Sequence, residues 1–429
     1  MKKIFILMFV CSFGFAQTKS ARVSAPLKEA SPESVGMSTE RITRIEQMLQ
    51  KAISDENIPG ATAIICKNGK IIYQKAFGYA DVPGKIPMKT DNIFRIASMS
   101  KAITSTAVMM LWEQGKLMLD DPISRYIPEF KNPVVLDKFH MADSSYSTVP
   151  AVREITVRHL LTHTSGIGYG VIDGDERMKA IYKKAGIVDL FTTENIKIGD
   201  NIKKLAKLPL HANPGDKYIY SEGLDVAGYL IEVVSGMPFD QFLAKNIFEP
   251  LGMSDTYFYL PNAKADRLVK VHTKSDGKWK HFTDTFYDVD YPAKGAKAFF
   301  SGGAGLSSTA KDYATFLQMY LNGGEVNGNR ILSRTTVEHI MQNQTGTLFG
   351  GEKSARDYGL AFGIINKNGV ASAGQGGEGT FDWGGYFNTA YFADPKEKII
   401  GVLMKQTQRI GEDRTSSLFR QMVFASVDD

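Results

Sequence analysis

Cysteine is nearly absent from this 429-residue chain, which has two. That scarcity excludes a disulfide framework and a cysteine-rich metal module. Long apolar runs are missing after the first twenty residues, so there is no membrane-spanning bundle. Charge of one sign is in short supply too. Lys and Arg total 51 against 46 Asp and Glu, a net +5. No basic block stands out, and nucleic acid is not an expected partner. Seven histidines are scattered without the spacing of metal ligands. Several common signatures are also absent: no G-x-x-x-x-G-K loop, no H-E-x-x-H and no G-x-S-x-G elbow. What is present is ordinary globular composition, 43% apolar and 23% charged, which excludes disorder as the main state. At roughly 100–200 residues per domain, the length allows two or three domains.

The N-terminus reads as an address. Lys2 and Lys3 precede a short apolar stretch from Ile4 to Phe15, and Gly14-Phe15-Ala16 suits cleavage after Ala16. Residues 1–16 are therefore expected to be a signal peptide. The mature chain would be exported, to the periplasm or outside a bacterial cell, with its charge reduced to +3 by the loss of two lysines. No integral membrane span is expected after that removal. Cys66 would then be the only cysteine. It lies in an apolar strand and reads as a buried, inert thiol.

Periodicity outlines the fold. Ser38 to Ser54 has helical spacing, with Ile42, Ile45, Met48, Leu49, Ala52 and Ile53 on one side and Ser38 as N-cap. Two β-rich runs flank Asn68-Gly69, a strong hairpin signal. Asn388–Ala393 and Lys398–Lys405 form a second strand pair, followed by a closing helix carrying Leu418, Phe419, Met422 and Val423. The middle is mostly helix and loop, with Lys131 to Glu154 a polar excursion. The expected fold class is α+β. An antiparallel sheet from residues 30–115 and 290–429, flanked by helices, would enclose a mainly helical domain at 116–289. The glycine cluster at Gly374–Gly379 leads into no helical pattern and reads as a loop.

Three elements carry possible chemistry. Ser98-Met99-Ser100-Lys101 opens an apolar helix running to Glu113, so Ser98 and Lys101 share a face. A serine is a weak nucleophile until a base takes its proton, and a buried lysine can be that base. A helix N-terminus also aims free N–H groups at developing negative charge. Tyr218-Ile-Tyr220-Ser221-Glu222 precedes the helix Leu224–Ser235, and a tyrosine near a cation can relay a proton. Trp383-Gly384-Gly385-Tyr386 precedes a strand, where two glycines permit close approach of a ligand.

Together and in this order, these elements resemble the serine β-lactamase and penicillin-binding-protein superfamily. The likeness is to its class C-like branch with the family VIII carboxylesterases, and it spans residues 30–425. Supporting stretches are Leu161-Thr-His-Thr-Ser-Gly166, Glu249-Pro-Leu-Gly-Met253, and Gly302-Gly-Ala-Gly-Leu-Ser307. The resemblance implies Ser98 as acylated nucleophile, Lys101 as its activator and Tyr220 as the tyrosine of the Tyr-x-Asn element, with Tyr218 as the alternative register. It implies oxyanion donors at the N–H groups of Ser98 and Tyr386, with Trp383, Gly384 and Gly385 where β-lactamases carry Lys-Thr-Gly. Glu222 replaces the asparagine and Trp383 replaces the lysine. Losing an oriented amide and a carboxylate partner, each worth about 1–3 kcal/mol, disfavours penicillins. The implied activity is a carboxylesterase on small neutral esters, without metal or organic cofactor. A β-lactamase, a D-alanyl-D-alanine peptidase and a hydrolase of short linear amides stay open. His163, Arg95 and Asp225 read as structural supports.

Overall fold

Strand Gly60–Lys67 is buried along its whole length, so it must be covered on both faces. In the computed structural model, which describes residue 20 and residues 23–429 other than 284 and 374, that strand lies within the main sheet. The expected leader, residues 1–16, lies outside the described residues. The sheet is built from β1 (Lys28–Glu29), β2 (Gly60–Lys67), β3 (Lys70–Asp81), β4 (Arg356–Tyr358), β5 (Gly363–Ile365), β6 (Phe381–Gly385), β7 (Thr389–Asp394) and β8 (Ile399–Met404). Their spatial order is β1-β3-β2-β8-β7-β6-β5-β4, with Ile86–Pro87 pairing on β3. Every pairing is antiparallel except at the edge, where β1 runs parallel to β3. The chain beginning and end meet at β2 and β8, with Ile65 opposite Gly401.

The two-residue period of a strand sorts its side chains into two cores. Ala61, Ala63 and Ile65 of β2, with Ile399 and Leu403 of β8, face helices α1 (Thr39–Ser54) and α5 (Thr415–Phe424) through Ile42, Ile45, Leu49, Phe419 and Val423. Ile64, Cys66, Ile400, Val402 and Met404 point the other way. They join the large core of α2 (Ser100–Glu113), α3 (Gly223–Ser235) and α4 (Ala310–Leu321). A continuous apolar run is what such a doubly covered strand requires. Burial pushes the Cys66 thiol up to about 12, as expected of an inert cysteine.

Local signals set the joints. Ser38 accepts the Arg41 N–H at 3.3 Å and caps α1. Asn68 and Gly69 have φ of +51° and +73°, the left-handed pair of the tight turn that matches strand twist. The polar excursion is a hairpin, Val134–His140 with Ser145–Pro150, and its flanks are tied by Lys131 Nζ to Glu154 Oε1 at 2.6 Å. A second hairpin pairs His272–Ser275 with Lys278–His281. The stretch between α2 and α4 therefore contains two hairpins among its helices.

Arg95 anchors the segment leading to Ser98. It has no exposed surface. Its Nε donates to the Val289 carbonyl at 2.6 Å and its Nη1 to the Val269 carbonyl at 2.7 Å. Gln406 accepts from the Arg95 N–H at 3.2 Å and donates to its carbonyl at 3.0 Å. Asp290 lies 3.6 Å from Nη2. Replacing Arg95 with Met strips the Val269 and Val289 carbonyls of their side-chain donor. It is expected to lower the unfolding free energy by about 3 kcal/mol or more, read from urea midpoints. A loss below about 0.5 kcal/mol would show that the anchor is dispensable.

Candidate active site

The turn carrying Ser98 is held from several sides. Strand residues Phe94 and Arg95 pair with Ser308 and Ser307. The Ile96 N–H donates to the Leu306 carbonyl at 3.0 Å, Ser100 Oγ accepts the Leu306 N–H at 3.1 Å, and the Tyr313 hydroxyl donates to the Met99 carbonyl at 2.9 Å. Ala97 sits in the left-handed region at φ +43°, a conformation that costs a non-glycine residue on the order of 1–3 kcal/mol and persists only when its surroundings enforce it. Ser98 falls in a 3-10 turn, Ala97–Met99, just before α2. Between residues 92 and 109, Ser98 alone escapes full burial.

One turn along, Lys101 is 1% exposed. Its Nζ donates to the Gly303 carbonyl at 2.7 Å and to Ser98 Oγ at 3.3 Å. It also lies 4.6 Å from the centroid of the Tyr220 ring and 5.9 Å from that of Tyr169. Thr104, one turn further, donates to the Gly302 carbonyl at 2.7 Å. Two side chains of α2 thus grip two successive carbonyls. A Cβ on Gly303 would stand 2.6 Å from Asp225 Oδ2, so any larger residue there displaces that carboxyl. Asp225 accepts the Gly303 N–H at 3.3 Å. Burial raises its carboxyl, and the nearby Lys101 charge works against that rise.

Tyr220, not Tyr218, is the tyrosine over Lys101. Tyr218 packs instead against Phe349 and Tyr358, and burial pushes its phenol upward. Behind Tyr220 lies His163, with ring centroids 4.4 Å apart. His163 Nδ1 accepts the Ser221 N–H at 3.2 Å. Burial, then the Lys101 charge, hold the imidazole well below its ordinary value, so it is neutral. In front, Trp383 Nε1 donates to Tyr220 Oη at 3.4 Å, and the two rings stack at 30°.

The end of β6 abuts the Ser98 turn. A Cβ on Gly385 would lie 2.4 Å from the Ile96 carbonyl oxygen and 2.2 Å from Thr389 Oγ1. Gly384 is exposed and less crowded. This contact sets Tyr386 beside the turn. Tyr386 and Tyr220 edge an aromatic cluster that includes Ala97, Tyr169, Phe191, Phe282, Tyr287 and Phe387. Sequence reading missed this cluster, because its members come from stretches far apart along the chain. It also missed Gly303 as partner of Lys101, for which the glycine run at 302–305 was the available signal.

Glu222 lies elsewhere than expected. It is 1% exposed, and its carboxyl bonds to Asp189, which accepts the Gly170 N–H at 3.0 Å. Glu222 thus braces the loop that presents Tyr169. Burial, the Asp189 hydrogen bond and the charges of Asp189, Asp225 and Asp173 push its carboxyl well above the carboxylate range.

Comparison with known proteins places the chain in a family. The Beta-lactamase family model matches residues 44–421, and the chain belongs to that family. It is 30% identical to Esterase EstB of Burkholderia gladioli over 85% of this chain and 90% of that one. It is also 30% identical to the lovastatin esterase of Penicillium rubens over 83% and 91%. Among solved structures, EstCE1, "a hydrolase with promiscuous acyltransferase activity", matches with a TM-score of 0.76 at 28% identity, over 90% of this chain and 98% of that one. The protein is a serine hydrolase of the β-lactamase fold with carboxylic ester hydrolases among its relatives.

The Glu222 carboxyl gives a measurable signature. Its proton is retained in the folded chain but lost from the unfolded one above about 4.5. Stability therefore falls as pH rises beyond that value, by up to about 1.4 kcal/mol per pH unit while the two states differ by one proton. Glu222→Gln is expected to flatten the decline between pH 5 and pH 8 in urea titrations. An unchanged decline would mean that Glu222 is ionised in the fold.

Proposed function

We propose that the protein is an exported carboxylesterase that cleaves small neutral esters through an acyl-enzyme on Ser98. The observation that carries this reading is the buried Lys101 Nζ at 3.3 Å from Oγ of the half-buried Ser98. Ser98 Oγ attacks the ester carbonyl carbon, and its proton passes to the coupled Lys101–Tyr220 pair, one member of which enters the step deprotonated. The oxyanion is taken by the N–H groups of Ser98 and Tyr386. The bond to the leaving alcohol then breaks as Tyr220 returns the proton to its oxygen. Water, deprotonated by the same pair, attacks the acyl-serine. The acid departs and Ser98 regains its proton. His163, Tyr169 and the Gly303 carbonyl hold the pair in place.

Substrate class follows from what stands beside Tyr220. Trp383 offers an apolar face and one N–H already directed at the phenol, where a penicillin carboxylate would need a cation. The aromatic cluster suits an apolar acyl or alcohol group. The esterase relatives point the same way.

Ser98→Ala is expected to reduce p-nitrophenyl butyrate turnover about 10⁴-fold or more and to abolish labelling by a fluorophosphonate probe. Residual wild-type turnover would remove Ser98 from the mechanism. Gly385→Ala is expected to lower kcat strongly, because the added Cβ pushes β6 off the nucleophile turn. On the wild type, hydrolysis of nitrocefin faster than that of the ester would reverse the substrate assignment. Export is checked by sequencing the N-terminus of the secreted chain, expected at Gln17.

A further inference from the structure

We propose that Asp81, His272 and His281 form a binding site for one divalent transition-metal ion, zinc foremost, outside the Ser98 centre. One oxygen of Asp81 and one nitrogen of each histidine lie within 4.8 Å of one another. The two histidines are nine residues apart, a spacing that shows no ligand pattern in sequence. The hairpin register sets them directly opposite each other, His272 against His281. Side chains opposite in an antiparallel pair project to the same face. Asp81 ends β3 and reaches the same point, accepting from His281 Nε2 at 2.8 Å.

The three residues have the character of ligands. Two imidazoles and a carboxylate are the mixed nitrogen and oxygen set that zinc accepts, with water as fourth ligand. Zinc bond lengths of about 2.0–2.2 Å require donors roughly 3.4 Å apart. His281 is on the exposed strand and has the freedom to close the remaining gap. Asp81 Oδ1 is oriented by the Gly84 N–H at 2.9 Å, the kind of outer contact that fixes a metal-binding carboxylate. His272 has no exposed surface. Its Nε2 accepts the Val82 N–H at 3.1 Å, so the ring proton sits on Nδ1, and the Nε2 lone pair is the one a metal would take in place of that N–H. That lone pair, next to a carboxylate and a second imidazole, belongs to a donor set of the kind zinc takes.

A metal here would clamp the 272–281 hairpin to the end of β3. The residues flanking that hairpin, Val271 and Phe282, also belong to the aromatic cluster that Tyr220 and Tyr386 edge. The His272 carbonyl accepts the Gln408 N–H at 2.9 Å, and the Gln408 side chain in turn holds the Tyr386 carbonyl. The ion would therefore stiffen that side of the cluster without entering the reaction.

The test uses the full-length purified chain stripped with chelator. Zinc is titrated by calorimetry, and cobalt(II) is added separately to read its tetrahedral ligand-field bands. One equivalent of zinc, a Tm that rises with zinc concentration and intense cobalt bands are expected. His281→Ala, an exposed position, and Asp81→Asn, which keeps the acceptor for Gly84, are each expected to weaken zinc at least 10-fold while leaving the metal-free Tm near wild type. Zinc binding of equal strength in both variants, or less than one-tenth equivalent bound by the wild type, would overturn the proposal. Neither readout depends on ester hydrolysis.

Discussion

A cation with almost no exposed surface organises this molecule. An ammonium group withdrawn from water is tolerated only where acceptors and aromatic faces replace its hydration. Lys101 finds them in the Gly303 carbonyl, Ser98 Oγ and the faces of Tyr220 and Tyr169. Each requirement reaches into a different part of the chain. The carbonyl demands the glycine run at 302–305, with Asp225 behind it. The phenyl face demands the turn before α3 and the neutral His163 ring beneath it. The serine demands a left-handed Ala97 held by Arg95, Leu306 and Met99 contacts.

The sheet supplies rigidity to this arrangement through one narrow contact. Gly385, at the end of β6, meets the Ile96 carbonyl where no side chain fits. Strand β6 pairs with β7 along its full length, and β7 pairs with the central β8. The position of Tyr386 relative to Ser98 is therefore inherited from the doubly covered core. Trp383, two residues earlier on the same strand as Gly385, directs its indole N–H at the Tyr220 hydroxyl. Both contacts are thus made from one five-residue strand.

Local features were legible in the sequence. Asn68-Gly69 demanded a left-handed turn, and the spacing in Ser98–Lys101 put both on one face. Relations between distant segments were not. Nothing in His163-Thr-Ser-Gly says that its imidazole lies under Tyr220, because the partner is 57 residues away and the contact is a ring face without a charge pattern. Glu222 shows the opposite failure. Its place in the motif suggested an open pocket position, but the loop carrying Asp189 folds over it and buries the carboxyl. The parallel pairing of β1 escaped notice because two exposed residues, Lys28 and Glu29, carry no apolar alternation.

The meeting of β2 with β8 also governs how the molecule comes into being. Ile65 and Gly401 are opposite each other, although more than three quarters of the chain separates them. Contacts of such long range form late and slowly, because closing so large a loop is entropically costly before any contact repays it. A nascent chain lacking its last thirty residues has neither all of β8 nor the strand order that aligns β6 with the Ser98 turn. The strand order that aligns β6 with the Ser98 turn accordingly waits on residues 399–404. A segment of six residues late in the sequence therefore times the assembly of a turn that begins about three hundred residues earlier.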